Sequence, residues 1–450
     1  MSARVGGIVA ATAVAALLGA AGARPLAAAA PRYPDVLVVS IDTLRADRLG
    51  AWGYRRATSP TIDALLAAGA RFERSRTVEP LTNPAMVSLW TSVPPHVHGA
   101  TRNGLPARPG LASLPKLLAR RGFRTGAVVG NWTLKDRLSG LARDWQSYDV
   151  LVSRKRWLGL FKDEANGGDL TDMALAWLER QRGAEPNRPL LLWVHYVEPH
   201  APYRLHERFA DRLGIDPRRA SASDRYDTEI AAVDAEVGRL LAGWERLSPH
   251  RPRLTVLLAD HGEAFGERGE QGHGRVLHSP TLDVPLGFVQ PGRIPTGAIA
   301  APVSTLDVAP TLLGLLGLPP HPGFRGRDLT PLFEGRGIDD DALCLQAHRG
   351  AVQSVQATDR ARRAGLLEVG RIEGERLEVL ALGRRERRLL DLAEDRAGRN
   401  LRVDPASPPS PELTACLDEI RAGLAAADRA PVPELDAESI EELRALGYLD

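Results

Sequence analysis

The chain has 450 residues, 44% hydrophobic and 25% charged, the make-up of a folded protein with one large domain and an appendage, or with two domains. Its 58 basic and 56 acidic residues leave a formal net charge of +2, so charge gives no case for a nucleic-acid partner. With only two cysteines, Cys344 and Cys416, a disulfide framework and a cysteine-built zinc site are excluded, and one disulfide or two plain thiols remain open.

Residues 1–30 carry Arg4, then an Ala/Val/Leu run broken by glycines, then small residues at Ala28 to Ala30. That order is the order of a secretory signal peptide. Residues 5–23 also approach the length of a membrane span, so an uncleaved N-terminal anchor is the alternative. The expected location is therefore periplasmic or extracellular, with membrane contact only through an uncleaved segment. Four apolar runs follow, "VLVVSI" (36–41), "TGAVVG" (125–130), "LLLWV" (190–194) and "LTVLLA" (254–259). Continuous runs of this kind suit strands covered on both faces. Between them "TIDALLAAG", "SLPKLLARRG" and "DMALAWLERQRG" read as helices that stop at glycine. After Ser223 a longer helix keeps Tyr226, Ile230, Val233, Val237, Leu240, Leu241 and Trp244 on one face. The alternation predicts an α/β sandwich around a mostly parallel sheet over 31–335. Beyond it, 336–450 reads as a small antiparallel subdomain, with "RVDPASPPSPEL" as a proline-rich linker and "ESIEELRALGYLD" as a closing helix.

The polar residues after these runs carry the chemistry. The first run ends at Asp42, the fourth at Asp260-His261-Gly262, and the third at His195, with Glu198 and His200 just beyond. In open α/β sheets ligands bind outside the carboxyl ends of the strands, so these side chains can meet. "EPLTNPAMVSLWTS" (79–92) starts a helix, at which Thr82 or Asn83 is either an N-cap or, for Thr82, a nucleophile among unpaired N–H groups. A cation held by Asp42, Asp260, His261 and Thr82 would polarise an ester oxygen and activate the threonine hydroxyl. His195 and His273 would protonate the leaving group, and His200 and His273 would hold the ester oxygens. His206, His250, His321 and His348 are assigned to the surface or to loops.

At these residues the sequence resembles the sulfatase family of the alkaline phosphatase superfamily, from about Pro34 to Leu401. "SIDTLRADRLGAWGY" is similar to the opening metal motif and "TSPTIDALLAAGARFERS" to the segment after it. "PLTNPAMVSLWTSVPPHVHG" is similar to the stretch bearing the nucleophile, with Thr82 on it. "HYVEPHAPY", "ADHGEAFGERGEQGHG", "STLDVAPTLLGLLGLP" and "LLDLAEDRAGRNL" resemble later family segments. The resemblance implies an alkaline-phosphatase-like sandwich with a small C-terminal α+β subdomain. It also implies one divalent ion (calcium, manganese, zinc or magnesium) and a small-molecule, glycan or lipid ester substrate. The chain departs from the formylglycine enzymes: Thr82 cannot form formylglycine, and Met86 stands where an arginine supports it. Thr43 replaces the second Asp, His273 a frequent lysine and Arg268 a frequent histidine. A threonine nucleophile is similar instead to the superfamily's phosphodiesterases and head-group transferases. The expectation is a metal-dependent hydrolase of sulfate or phosphate esters. The alternatives are a phosphoethanolamine or phosphoglycerol transferase and an inactive binding protein on the same fold. Nothing in the sequence bears on oligomeric state.

Overall fold

The computed structural model describes residues 33–151, 166–339, 342–349, 365–392 and 407–426 in full, and the backbone alone at 153–156, 161–164 and 402–403. The N-terminal segment and the expected closing helix lie outside the described residues. Among the described residues no helix is long and apolar enough to cross a membrane.

Eight strands form the central sheet: β1 (Asp35–Ile41), β2 (Ala70–Arg76), β3 (Arg124–Val129), β4 (Ser147–Val150), β5 (Leu190–Tyr196), β6 (Arg253–Ala259), β7 (Leu286–Val289) and β8 (Gly297–Ser304). Their spatial order is β8-β2-β7-β6-β1-β5-β3-β4, and every neighbouring pair is parallel except the two made by β7. Successive side chains of β1 enter opposite layers. Val36 and Val38 join one core, while Leu37, Val39 and Ile41 join the other. The first layer is roofed by α2 (Thr82–Thr91), α3 (Leu114–Arg120) and α6 (Val308–Leu315); the second by α1 (Pro60–Ala67), α4 (Gly167–Ala184) and α5 (Ala222–Leu247). Each of these buried Val, Leu and Ile side chains contributes about 1.5–3 kcal/mol by leaving water, which is why uninterrupted apolar runs fold as central strands. The long helix α5 starts at Ala222 because Ser221 and Asp224 close a capping box, each side chain accepting the other's backbone N–H at 3.1 and 3.0 Å.

Strand register sets the level of the polar residues. Ser40 lies opposite His195 of β5, and Ile41 opposite Ala259 of β6, so Asp42 and Asp260 leave neighbouring strands side by side. His195 lies within β5, not beyond it: the strand runs two residues past the apolar run, and the polar ring finds a partner in Ser40. Strands β2, β4, β7 and β8 are absent from the sequence reading, and β4 is only half-buried along its length. "ARFERSR" places only Ala70 and Phe72 in the apolar core, β7 has four residues, and β8 carries Pro302 where its register breaks at the sheet edge.

The C-terminal sheet is antiparallel in chain order: β9 (Leu343–His348), β10 (Leu366–Glu373), β11 (Arg376–Ala381), β12 (Glu386–Asp391) and β13 (Arg402–Val403). His348, assigned above to the surface, is buried in β9, where Glu79 meets its Nδ1 at 2.9 Å. Helix α7 (Pro411–Ala426) covers this sheet with Leu413, Cys416, Leu417 and Ile420 against Leu366 and Val369, and begins inside the stretch read as a linker. Cys344 of β9 and Cys416 of α7 form a disulfide across a separation of 72 residues. On chain-entropy grounds reduction should cost this subdomain about 4 kcal/mol. Denaturant unfolding with and without reductant measures it, and a Cys344→Ser/Cys416→Ser variant should match the reduced protein.

Candidate active site

Thr82 is the first residue of α2 and caps nothing. Leu81 is the N-cap residue, with extended backbone (φ −144°, ψ 135°), and its own side chain makes no cap hydrogen bond. The second residue's N–H is taken by Asn103 Oδ1 at 3.0 Å, and the Asn83 amide donates to the backbone carbonyls of Arg102, Leu105 and Leu138. Both sequence candidates for the cap therefore have other work, and the Thr82 hydroxyl is aimed at His261 Nε2, 3.3 Å away. Nδ1 of His261 faces the Gly262 carbonyl at 2.9 Å. A carbonyl can only accept, so Nδ1 carries the proton, Nε2 is an acceptor, and Thr82 donates to it. That turn requires glycine at 262, since a Cβ there would sit 2.0 Å from the Pro280 carbonyl oxygen.

Asp42, Thr43, Thr82, His195, Asp260 and His261 are all fully buried. Asp260 Oδ1 accepts the N–H groups of Thr43 (3.1 Å) and His261 (2.8 Å), while Asn131 donates its amide to Asp42 Oδ2. Four buried side-chain atoms of these residues are left without a hydrogen-bond partner: Asp42 Oδ1, Thr43 Oγ1, Asp260 Oδ2 and His195 Nε2. Asp42, His195 and Asp260 each bring a ligand atom within 4.8 Å of the others. His261 Nε2 lies 3.8 Å from Asp42 Oδ1 and 3.5 Å from Asp260 Oδ2. Donors around a tetrahedral ion with bonds of about 2.1 Å are separated by roughly 3.4 Å, so the two His261 edges are close to that spacing, and the Asp42, His195 and Asp260 triad could hold a divalent cation. Oxygen and imidazole donors together suit zinc, manganese or a harder ion, and do not select among them.

The electrostatics fit the same view. Burial penalises the Asp42 charge, but the imidazoles of His195, His200 and His261 outweigh it, and its carboxyl lies below the usual range. Asp260, equally buried and next to Asp42, is pushed well above that range. Two facing carboxyls that cannot both carry charge are what a cation would neutralise. Burial and the neighbouring His273 hold His261 well below the ordinary imidazole value. Burial opposes charge on His273 too, yet Glu263, 2.9 Å from Nδ1, raises it above that value. The His261 and His273 rings are 4.3 Å apart, and His200 meets His273 edge-on at 5.2 Å. His200 donates Nδ1–H to the Ala201 carbonyl at 2.6 Å. The seven sequence candidates are thus linked in one cluster by Thr82–His261, His261–His273 and His273–His200 contacts and by the carboxylates. Ser40, Asn131 and Glu263 were missed. Asn131 follows β3 at the same sheet edge and could have been found by the strand-end rule; Ser40, inside a strand, had no signal. Met86 packs in the core and brings no charge to the site.

Glu198, just beyond β5, accepts the Gly167 N–H at 2.8 Å and buries Oε2 without a partner. Burial and the charge of Glu229 push its carboxyl up to about 7. A raised acid keeps its proton only in the folded state, so stability falls as pH rises from about 4.5 through about 7. Glu198→Gln should therefore stabilise the protein at pH 8 by on the order of 2 kcal/mol and leave it unchanged at pH 4. Urea unfolding at the two pH values checks the difference.

A family model described as Sulfatase matches residues 34–318. An ulvan-active sulfatase of Formosa agariphila is 24% identical over 353 residues, covering 70% of this chain and 68% of that protein. Human arylsulfatase A is 26% identical over 370 residues, 69% of each chain. Among solved structures, Ps i-CgsB superposes with a TM-score of 0.68 at 17% identity, covering 92% of this chain and 98% of that one. The phosphonate monoester hydrolase of Agrobacterium radiobacter gives 0.64 at 20% identity, covering 92% and 95%. The matched region holds the strand ends, the helix start and the loop that bring Asp42, Thr82, Asp260, His261 and His273 together, and it spans more than half of the sequence: this chain belongs to the sulfatase family of ester-bond hydrolases.

Proposed function

We propose that the chain hydrolyses sulfate or phosphate esters with Thr82 as a covalent nucleophile, at a single divalent ion held by Asp42, Asp260, His261 and Thr82, with His195 beside them. The observation that carries this is the set of unpartnered buried donors, Asp42 Oδ1, Asp260 Oδ2 and His195 Nε2, next to a helix-start hydroxyl that caps nothing. When bound, the ion would offset the two carboxylates and withdraw electron density from the ester oxygen. Thr82, its hydroxyl proton lost to solvent before the attack, bonds through Oγ1 to sulfur or phosphorus as the bond to the alcohol breaks, and Oγ1 is released again as the alkoxide when its ester is opened. His273, its Nδ1–H fixed on Glu263, has Nε2 left to give the alcohol its proton. Water then opens the Thr82 ester, and the same nitrogen takes that water's proton. His200, whose Nδ1–H is given to the Ala201 carbonyl, would hold a non-bridging oxygen through Nε2–H as the imidazolium.

The substrate class follows the relatives, one named for ulvan and one for phosphonate monoesters, and is a small-molecule or glycan ester. Export is proposed on the N-terminal pattern together with the disulfide, a bond that persists in oxidising compartments. The test is a panel of aryl sulfate, phosphate monoester, phosphate diester and phosphonate ester, run with calcium, magnesium, manganese and zinc. Turnover of at least one ester that requires an added ion supports the reading. A protein that binds no ion and turns over none of the four is a binding protein on this fold.

A further inference from the structure

We infer that the C-terminal sheet is part of the active-site machinery, because it grips the short segment that presents Thr82. This rests on the reading of Thr82 as the nucleophile. Glu79 and His348 are 269 positions apart, both are buried, and Glu79 Oε1 lies 2.9 Å from His348 Nδ1. Two residues earlier on β9, Gln346 donates its N–H to the Val78 carbonyl at 3.2 Å. Two positions of one strand thus hold adjacent residues of the 78–79 segment. Between Glu79 and Thr82 there is no slack. The Glu79 carbonyl accepts the Leu81 N–H at 2.9 Å and the Thr77 hydroxyl at 3.2 Å, and the Leu81 carbonyl accepts the first intrahelical bond of α2, from Ala85 at 2.9 Å. A shift of His348 is passed through one tight turn to the Thr82 side chain.

The same sheet holds the second arm of the site. The Leu277 N–H, four residues after His273, donates to Glu368 Oε2 of β10 at 2.8 Å, and Glu368 is paired with Arg388 of β12. The segments carrying Thr82 and His273 are therefore both referenced to neighbouring strands, β9 and β10. A buried hydrogen-bonded pair of ionisable groups is a poor device for stability alone, since apolar residues of similar size serve as well or better. It does select one arrangement over others. Glu79 and His348 are positioning residues: they touch neither substrate nor Thr82, and act by where they hold it.

The experiment compares Glu79→Leu/His348→Leu, Glu79→Asp and Glu79→Gln with the parent, on whichever ester the parent turns over. The double apolar variant should melt near the parent, bind the divalent ion as the parent does and keep its KM, while kcat falls roughly 10- to 100-fold. Glu79→Asp, which keeps the charge but shortens the reach, should show the same split with a smaller drop. Glu79→Gln, which keeps both length and acceptor, should restore kcat. Parental kcat in a folded double variant overturns the inference; if that variant does not fold, parental kcat in Glu79→Asp does so. Thr82→Ala, made alongside, separates the two readings. Activity that survives it overturns the nucleophile and this inference with it. Activity lost in Thr82→Ala but untouched in the Glu79 variants overturns the grip alone.

Discussion

Alanine at position 82 is expected to lower kcat/KM by about 10⁴-fold or more, an increase in barrier of about 5.5 kcal/mol, with little change in fold. The two effects separate because of what Thr82 does not do. It caps no helix N–H, and its one hydroxyl hydrogen bond, to His261 at 3.3 Å, is long. Losing it leaves His261 Nε2 unpaired at a cost of about 1 kcal/mol. Were Thr82 an ordinary cap, alanine would cost the same ~1 kcal/mol of stability and nothing in turnover, so the rate is what separates the two roles. Thr82→Ser keeps the oxygen and should keep most of the rate. Intact-protein mass after a single turnover gives the independent readout. The parent should carry one sulfuryl or phosphoryl group on the peptide containing Thr82, and Thr82→Ala should carry none. Retention of a tenth or more of parental kcat/KM by the alanine variant would remove the nucleophile.

The features that chemistry forces on the sequence were readable, and those decided by tertiary context were not. Runs such as "VLVVSI" and "LTVLLA" must be apolar on both faces to sit in mid-sheet, so β1 and β6 announce themselves, and with them the edge where Asp42 and Asp260 emerge. At the sheet's other end, β2 is mostly polar and β8 contains a proline, and pairing with neighbours rather than their own pattern makes them strands. α7 is a different kind of miss. Its apolar spacing at 413, 416, 417 and 420 is helical, but Pro408, Pro409 and Pro411 at its start carry the signature of a turn. Among the site residues, a strand-end rule finds Asp42, Asp260 and Asn131 because backbone direction fixes where they go. It does not tell that His195 lies inside its strand, nor that His348, the last residue of β9, is buried against Glu79. Those placements depend on partners 155 and 269 residues away, Ser40 and Glu79, which local pattern does not reveal.

Neutralising Asp260 should stabilise the metal-free protein and abolish its response to metal, two changes of opposite sign from one substitution. Without an ion, Asp42 and Asp260 face each other with no solvent, and Asp260 is pushed well above the usual carboxyl range by burial and by its neighbour. Asn in its place keeps an acceptor for the Thr43 and His261 N–H groups, at 3.1 and 2.8 Å, so the turn after β6 survives. Only the Oδ2 side changes, where the carboxylate has no partner and an uncharged amide is less costly to bury. Chelated Asp260→Asn should therefore exceed chelated parent in stability by on the order of 2 kcal/mol. With ion added at 100 times its Kd the parent gains about 2.7 kcal/mol, because binding to the folded state alone shifts unfolding by mass action. The variant, lacking one of two carboxylates, gains almost none, and its turnover on the parent's ester is lost with it. Thermal melts in chelator and in calcium, magnesium, manganese and zinc read both signs on one plate. A rise in Tm on ion addition as large in Asp260→Asn as in the parent would mean that the cation sits elsewhere. The buried pair would then be a carboxyl–carboxylate hydrogen bond, held by its proton and by the imidazoles around Asp42.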